Sequence, residues 1–245
     1  MAPPPPPLTV FLAALATALA TGLGALPFLV LRRVSPVVVA SANAIAGGLM
    51  LGASFGLVAE GTRYGAWQTL AGALLGVLFI VATQRLIRDR EVRFGTVRGA
   101  DARQMVLIVL VMTVHSFAEG VAVGVAFGGG AALALIITLA ISVHNIPEGL
   151  AISAVLKPRG VGVLACAGWS IFSSLPQPLM AVPAFLFVET FRRALPYGIG
   201  FAAGAMVFMV LEELLPEAYD RARRPLVALQ VSLTLVAMVL FQQFL

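Results

Sequence analysis

Long apolar runs separated by short polar segments dominate this chain. Each run is close to the ~20 residues that a helix needs to cross the hydrocarbon layer of a membrane. The runs cover approximately residues 8–31, 36–60, 67–87, 104–127, 131–156, 161–188, 197–219 and 225–245. This pattern predicts an all-α integral membrane protein with eight transmembrane helices, forming one domain over residues 1–245.

Two polar segments stand out from the apolar pattern. Residues 1–7 form a proline-rich N-terminal tail, which we expect to be extended and exposed. Residues 85–103 are the longest polar stretch, with six arginines, and form a basic loop between predicted helices 3 and 4. We expect the first apolar run to be a retained helix, since no positive charge precedes it and it exceeds the roughly 7–15 apolar residues of a signal peptide.

The basic residues are distributed unevenly among the predicted loops. Thirteen of the 16 lysines and arginines lie after predicted helices 1, 3, 5 and 7, and three lie after helices 2, 4 and 6. Positive loops face the cytoplasm, so we expect both termini outside and a multi-pass protein of the cell (inner) membrane. This loop charge accounts for the net charge of +5 without a nucleic acid partner.

Two matched motifs hold both histidines of the chain. One reads His115-Ser116-Phe117-Ala118-Glu119-Gly120 in predicted helix 4, and the other reads His144-Asn145-Ile146-Pro147-Glu148-Gly149 in predicted helix 5. Histidine and glutamate four residues apart lie on one helix face. Ionisable side chains at membrane depth indicate a functional site, and two matched pairs are poorly explained by helix packing alone.

Imidazole and carboxylate ligands suit borderline divalent metals, namely zinc, iron(II), manganese, cobalt and cadmium. Two such pairs on adjacent antiparallel helices could supply four ligands to one ion. The lone Cys166 excludes an internal disulfide and a cysteine-rich structural zinc site.

Proline predicts that helices 4 and 5 are broken around a central metal site. Pro147 removes one backbone hydrogen bond, and such breaks are tolerated where the backbone lines a cavity. Predicted helix 6 has a denser break around Gln177, which lies between Pro176 and Pro178 and could line the site or pack at the kink. Glu212 and Glu213 lie near the cytoplasmic end of predicted helix 7, where they could be a relay or interfacial charges.

At these motifs the chain resembles the ZIP family of divalent metal transporters, in its prokaryotic branch. The resemblance extends over nearly the whole chain and implies a metal site on helices 4 and 5. Carried over by motif, the resemblance implies metal ligands at His115, Glu119, His144 and Glu148, with Met50 of helix 2 as a weak further ligand. It also matches Glu213 to an acidic position near the cytoplasmic exit, where Glu212 could assist.

The chain departs from the family pattern at a second metal position. Family members often have asparagine where this chain has Ser116, and glutamate where it has Gln177, while Asn145 is retained. We therefore expect one well-formed metal site.

These residues predict a permease that moves zinc or a related divalent ion into the cytoplasm without an enzymatic cofactor. A membrane metalloenzyme is the first alternative, but neither the His-Glu-x-x-His pattern nor Glu-x-x-His pairs are present. A transporter of protons or organic cations that uses the buried acids is the second. Small residues on the helix faces permit a homodimer.

Overall fold

In the computed structural model, described for residues 5–31, 35–88 and 100–243, the chain is helical and these residues contain no β-strand. The helices are α1 (Pro7–Leu23), α2 (Pro36–Arg88), α3 (Ala100–Gly129), α4 (Ala131–Leu156), α5 (Val163–Ser174), α6 (Pro176–Thr190), α7 (Leu195–Met209), α8 (Leu215–Arg221) and α9 (Arg224–Gln243). Short 3₁₀ turns lie at Leu26–Leu29, Lys157–Arg159 and Arg192–Ala194, and a π-helical turn spans Val210–Leu214.

The described residues contain six helical stretches that are long and apolar enough to cross a membrane. These stretches confirm the prediction of an all-helical membrane protein for the described residues. The count of eight spans and the position of the termini stay predictions. Residues 1–4 of the predicted N-terminal tail lie outside the described residues, and α1 begins at Pro7, a residue type that fits the first helical position. The basic loop falls mostly outside the described residues, since α2 continues to Arg88 and α3 begins at Ala100.

Helix α2 combines two predicted spans and bends at Gly65, whose backbone is not helical. A Cβ atom at Gly61 would lie 2.8 Å from the side chain of Thr69, so the chain turns back on itself here. Before the bend, Gly47 lies against Val210 and Gly61 lies against Ile199, so the partner number falls along the chain. After the bend, Gly72 lies against Tyr197 and Gly76 lies against Phe201, so the partner number rises. The two arms of α2 therefore run in opposite directions along α7.

Helices α3 and α4 are neighbours because only Gly130 separates them. Gly130 has φ 121°, a left-handed conformation that glycine adopts without steric cost. Two side chains satisfy the last carbonyls of α3: Arg192 donates to the Gly128 oxygen at 2.8 Å, and Tyr64 donates to the Gly129 oxygen at 3.4 Å. This tight turn brings the two His/Glu motifs onto adjacent helices, as the sequence predicts.

The proline breaks differ from the prediction. Helices α3 and α4 are helical without interruption, and α4 continues through Pro147, so the breaks predicted for these two helices are not found. A proline within a membrane helix removes one hydrogen bond, which neighbouring helices can compensate. The predicted break near Gln177 is present, because α5 ends at Ser174 and α6 begins at Pro176.

Candidate metal centre

A glycine follows each glutamate of the two motifs, and another helix backbone presses against each glycine. A Cβ atom at Gly120 would lie 2.6 Å from the carbonyl oxygen of Gln177, and one at Gly149 would lie 1.7 Å from the carbonyl oxygen of Thr21. Only glycine permits such approaches. The Glu-Gly pairs therefore bring α6 against α3 and α1 against α4, directly beside the two carboxylates.

Three of the predicted ligands converge in the interior. His115 and Glu119 of α3 and His144 of α4, here called the triad, place one ligand atom each within 4.8 Å of one another. The Oε1 atom of Glu119 lies 2.5 Å from His144 Nε2 and 3.3 Å from His115 Nε2. All three residues are at most 1% exposed. The triad thus offers two imidazole nitrogens and a carboxylate oxygen around one point.

Glu148, the fourth predicted ligand, lies outside this three-residue group. It is only 2% exposed, and it is close enough to Glu119 and His115 for their charges to act on it. Neither of its carboxylate oxygens has a hydrogen-bond partner among the described residues. The same is true of the Nδ1 atoms of His115 and His144.

These buried atoms form a donor set that fits a metal cation. Buried polar atoms normally have hydrogen-bond partners, and a buried carboxylate without a partner is costly. Metal binding requires neutral imidazoles and ionised carboxylates, so Glu119 and Glu148 would then carry two negative charges, which one divalent cation would balance. Nitrogen and oxygen ligands in this number suit zinc and its neighbours in the first transition series.

A hydrogen-bond network connects the triad to helices α1 and α6. Gln177 Nε2 donates to Glu119 Oε2 at 2.6 Å, and Thr17 Oγ1 lies 2.5 Å from Gln177 Oε1. Asn145 Nδ2 donates to the Thr17 carbonyl oxygen at 2.8 Å and to Gln177 Oε1 at 3.3 Å. Gln177 and Asn145, both predicted as less certain site residues, therefore lie beside the triad and are fully buried.

The remaining predicted ligands are less closely connected to the triad. Ser116 is fully buried, and its hydroxyl has no hydrogen-bond partner among the described residues. The same holds for the Oδ1 atom of Asn145. Met50 is buried on α2, and its role as a ligand stays a prediction.

The acidic pair near the predicted cytoplasmic end lies in the π-helical turn Val210–Leu214. Pro216 accounts for this π-helical turn. In an ordinary α-helix its ring would clash with the carbonyl group four residues earlier, and the wider turn avoids this clash. Glu213 is partly buried and close enough to His115 for its charge to act there, whereas Glu212 is exposed. The structure thus places these two adjacent residues in different environments.

The sequence did not identify two further residues with long-range polar contacts, of which Thr17 belongs to the network beside the triad. Thr17 connects α1 to Gln177 and Asn145, and Glu217 accepts a hydrogen bond from the buried Asn43 at 3.0 Å. A weak signal existed for each. Thr17 and Thr21 are four residues apart in an otherwise apolar helix, and Glu217 is four residues from Glu213.

Comparison with known proteins agrees with this chemistry. A model of the ZIP zinc transporter family matches residues 94–241. A putative zinc transporter of Arabidopsis thaliana is 46% identical over 96% of the chain, which spans 39% of that relative. Zinc transporter GufA of Myxococcus xanthus is 33% identical over 84% of the chain and 87% of its own length. Zinc transporter ZupT of Oceanobacillus iheyensis is 34% identical over 94% of the chain and 96% of its own length.

Proposed function

Because this chain belongs to the ZIP zinc transporter family, we propose that it carries a divalent transition metal, with zinc as the principal substrate, through the triad and Glu148. The observation that carries the proposal is the convergence of His115, Glu119 and His144 in the protein interior. The names of its relatives, which are transporters rather than enzymes, disfavour the metalloenzyme alternative. Cadmium, iron(II), manganese and cobalt are the further substrates that the same ligand chemistry would accept.

The proposed role of the four side chains is to replace the water shell of the ion. A transported ion must bind well enough to enter and weakly enough to leave. Imidazole and carboxylate ligands meet this need better than thiolates, which hold zinc more tightly. Glu148 is the added ligand in this scheme, since its unpartnered oxygens lie near the triad and require no bond to be broken.

We further propose that the ion moves toward the cytoplasm, with Glu213 as the next acidic group on its path. Glu213 is partly buried and close enough to His115 for its charge to act there, and it lies within the π-helical turn. In the topology that the positive-inside distribution predicts, with eight spans and both termini outside, Glu213 lies near the cytoplasmic end of its helix, and this location is the basis for the inward direction. The two arms of α2 count as two of these spans.

A single metal per chain is the proposed stoichiometry. The second oxygen of Glu119 already accepts a hydrogen bond from the Gln177 amide, so it faces a neutral donor instead of a second cation. Equilibrium dialysis of the purified protein with zinc, followed by elemental analysis, tests this directly. Two bound zinc ions per chain would contradict it.

Metal uptake into liposomes that contain the purified protein tests the function. A metal-sensing dye inside the vesicles would report the entry of zinc, cadmium, iron(II), manganese and cobalt in parallel assays. We expect zinc uptake by the wild type and its loss in the Glu119→Ala/Glu148→Ala double variant. The matched control is Glu189→Ala, because Glu189 lies at the end of α6 and pairs with Arg192 at 2.7 Å. Absence of uptake for every metal by folded wild-type protein would refute the proposal.

A further inference from the structure

Gln177 divides the two oxygens of Glu119 between different partners. Its amide nitrogen donates to Oε2 at 2.6 Å, while Oε1 faces the imidazoles of His115 and His144. Gln177 is fully buried at the first turn of α6, so water does not compete for this contact. Only one oxygen of the carboxylate therefore faces the centre of the triad.

The amide of Gln177 is itself oriented by two other helices. Its oxygen lies 2.5 Å from Thr17 Oγ1 of α1 and 3.3 Å from Asn145 Nδ2 of α4. Exchanging the amide oxygen and nitrogen would place two acceptors 2.6 Å apart at Glu119, so the observed orientation is the one that satisfies the network. The single hydroxyl proton of Thr17 is shared between the Gln177 amide oxygen and the Ala14 carbonyl oxygen. The hydrogen bond from Asn145 is therefore a second support for the orientation of the Gln177 amide.

We propose that Gln177 is a positioning residue that sets the metal preference of this centre by keeping Glu119 a one-oxygen ligand. This inference rests on the proposed function and adds a determinant of selectivity to it. Zinc favours four ligands in a tetrahedral arrangement, with imidazole nitrogen among them. Manganese favours six ligands, mostly oxygen. The hydrogen bond from Gln177 keeps the second oxygen of Glu119 from binding the ion, and this lower oxygen count favours zinc over manganese.

The decisive variant is Gln177→Leu, which removes the amide at nearly unchanged volume. The second oxygen of Glu119 then becomes free to bind the ion, and the oxygen count of the centre rises. We expect the ratio of manganese to zinc uptake in liposomes to increase about tenfold or more, the scale typical of removing an outer-shell partner of a metal ligand. Competition between manganese and zinc in equilibrium dialysis measures the ratio of the bound metals without transport, and we expect it to change in the same direction.

Gln230→Leu is the matched control, because Gln230 is a partly buried glutamine of α9 whose amide donates to Ser41 Oγ at 2.9 Å. Its metal ratio should equal that of the wild type. A folded Gln177→Leu protein that binds zinc with an unchanged manganese-to-zinc ratio would overturn the inference.

Thr17→Val decides the question if Gln177→Leu does not fold, since it removes one support of the amide and conserves shape. A smaller shift in the same direction supports the inference, and an unchanged ratio overturns it. Failure of the proposed function gives a different result: the wild type would then neither bind nor carry any of the metals.

Discussion

Substituting alanine for Gly149 tests whether the contact between α1 and α4 sets the geometry of the metal centre. The new Cβ atom would lie 1.7 Å from the Thr21 carbonyl oxygen, whereas real Cβ contacts essentially never fall below 3.0 Å. The two helices must therefore separate locally by at least about 1.3 Å. That displacement would stretch the 2.8 Å bond from Asn145 Nδ2 to the Thr17 carbonyl beyond hydrogen-bond range.

The expected cost follows from two contributions. Inserting a methyl group into a well-packed contact costs about 1–3 kcal/mol. Loss of a buried hydrogen bond adds about 1 kcal/mol. A free-energy loss of about 3 kcal/mol corresponds to a decrease of roughly 6–12 °C in Tm for a chain of this size. Zinc uptake should fall as well, because α1 also supports Gln177 through Thr17.

Thermal unfolding of the purified protein, followed by tryptophan fluorescence, measures the change. The control is Gly168→Ala, since a Cβ atom at this exposed position of α5 meets nothing within 4 Å. Alanine is preferred over glycine within a helix by up to about 1 kcal/mol, so the control should be as stable as the wild type or slightly more stable. A Tm for Gly149→Ala within about 2 °C of the wild type, together with unchanged uptake, would refute this reasoning.

Three further predictions concern the centre and the topology. Zinc uptake should decrease from pH 7 to pH 5, because imidazole and carboxylate ligands must lose their protons to bind metal; flat uptake over this range would argue against histidine ligands. Gln177→Glu should bind two zinc ions per chain in equilibrium dialysis, since a carboxylate would replace the donor 2.6 Å from Glu119; one bound zinc would contradict this. In a Cys166→Ala background, an impermeant thiol reagent should label the Arg193→Cys variant but not the Arg223→Cys variant in intact cells. The reverse labelling pattern would show that the predicted topology is inverted.

Much of the helical architecture could be predicted because hydropathy and helical periodicity are local properties of a chain. The apolar runs, the tight glycine turn after α3 and the interruption before Gln177 all follow from nearest neighbours in sequence. The predicted breaks in α3 and α4 are not found, because neighbouring helices decide whether a proline interrupts a membrane helix. The π-helical turn at Val210–Leu214 has only Pro216 as its sequence signal.

The sequence alone determined which residue types could bind a metal: the i, i+4 spacing puts each histidine on one helix face with its glutamate. Only the tertiary structure decided that Glu119, and not Glu148, joins both histidines, and that Gln177 occupies its second oxygen. It also showed why a glycine follows each glutamate, since each must admit a neighbouring backbone. Thr17 and Gln177, for example, lie 160 positions apart, and such contacts depend on how helices pack rather than on any local pattern.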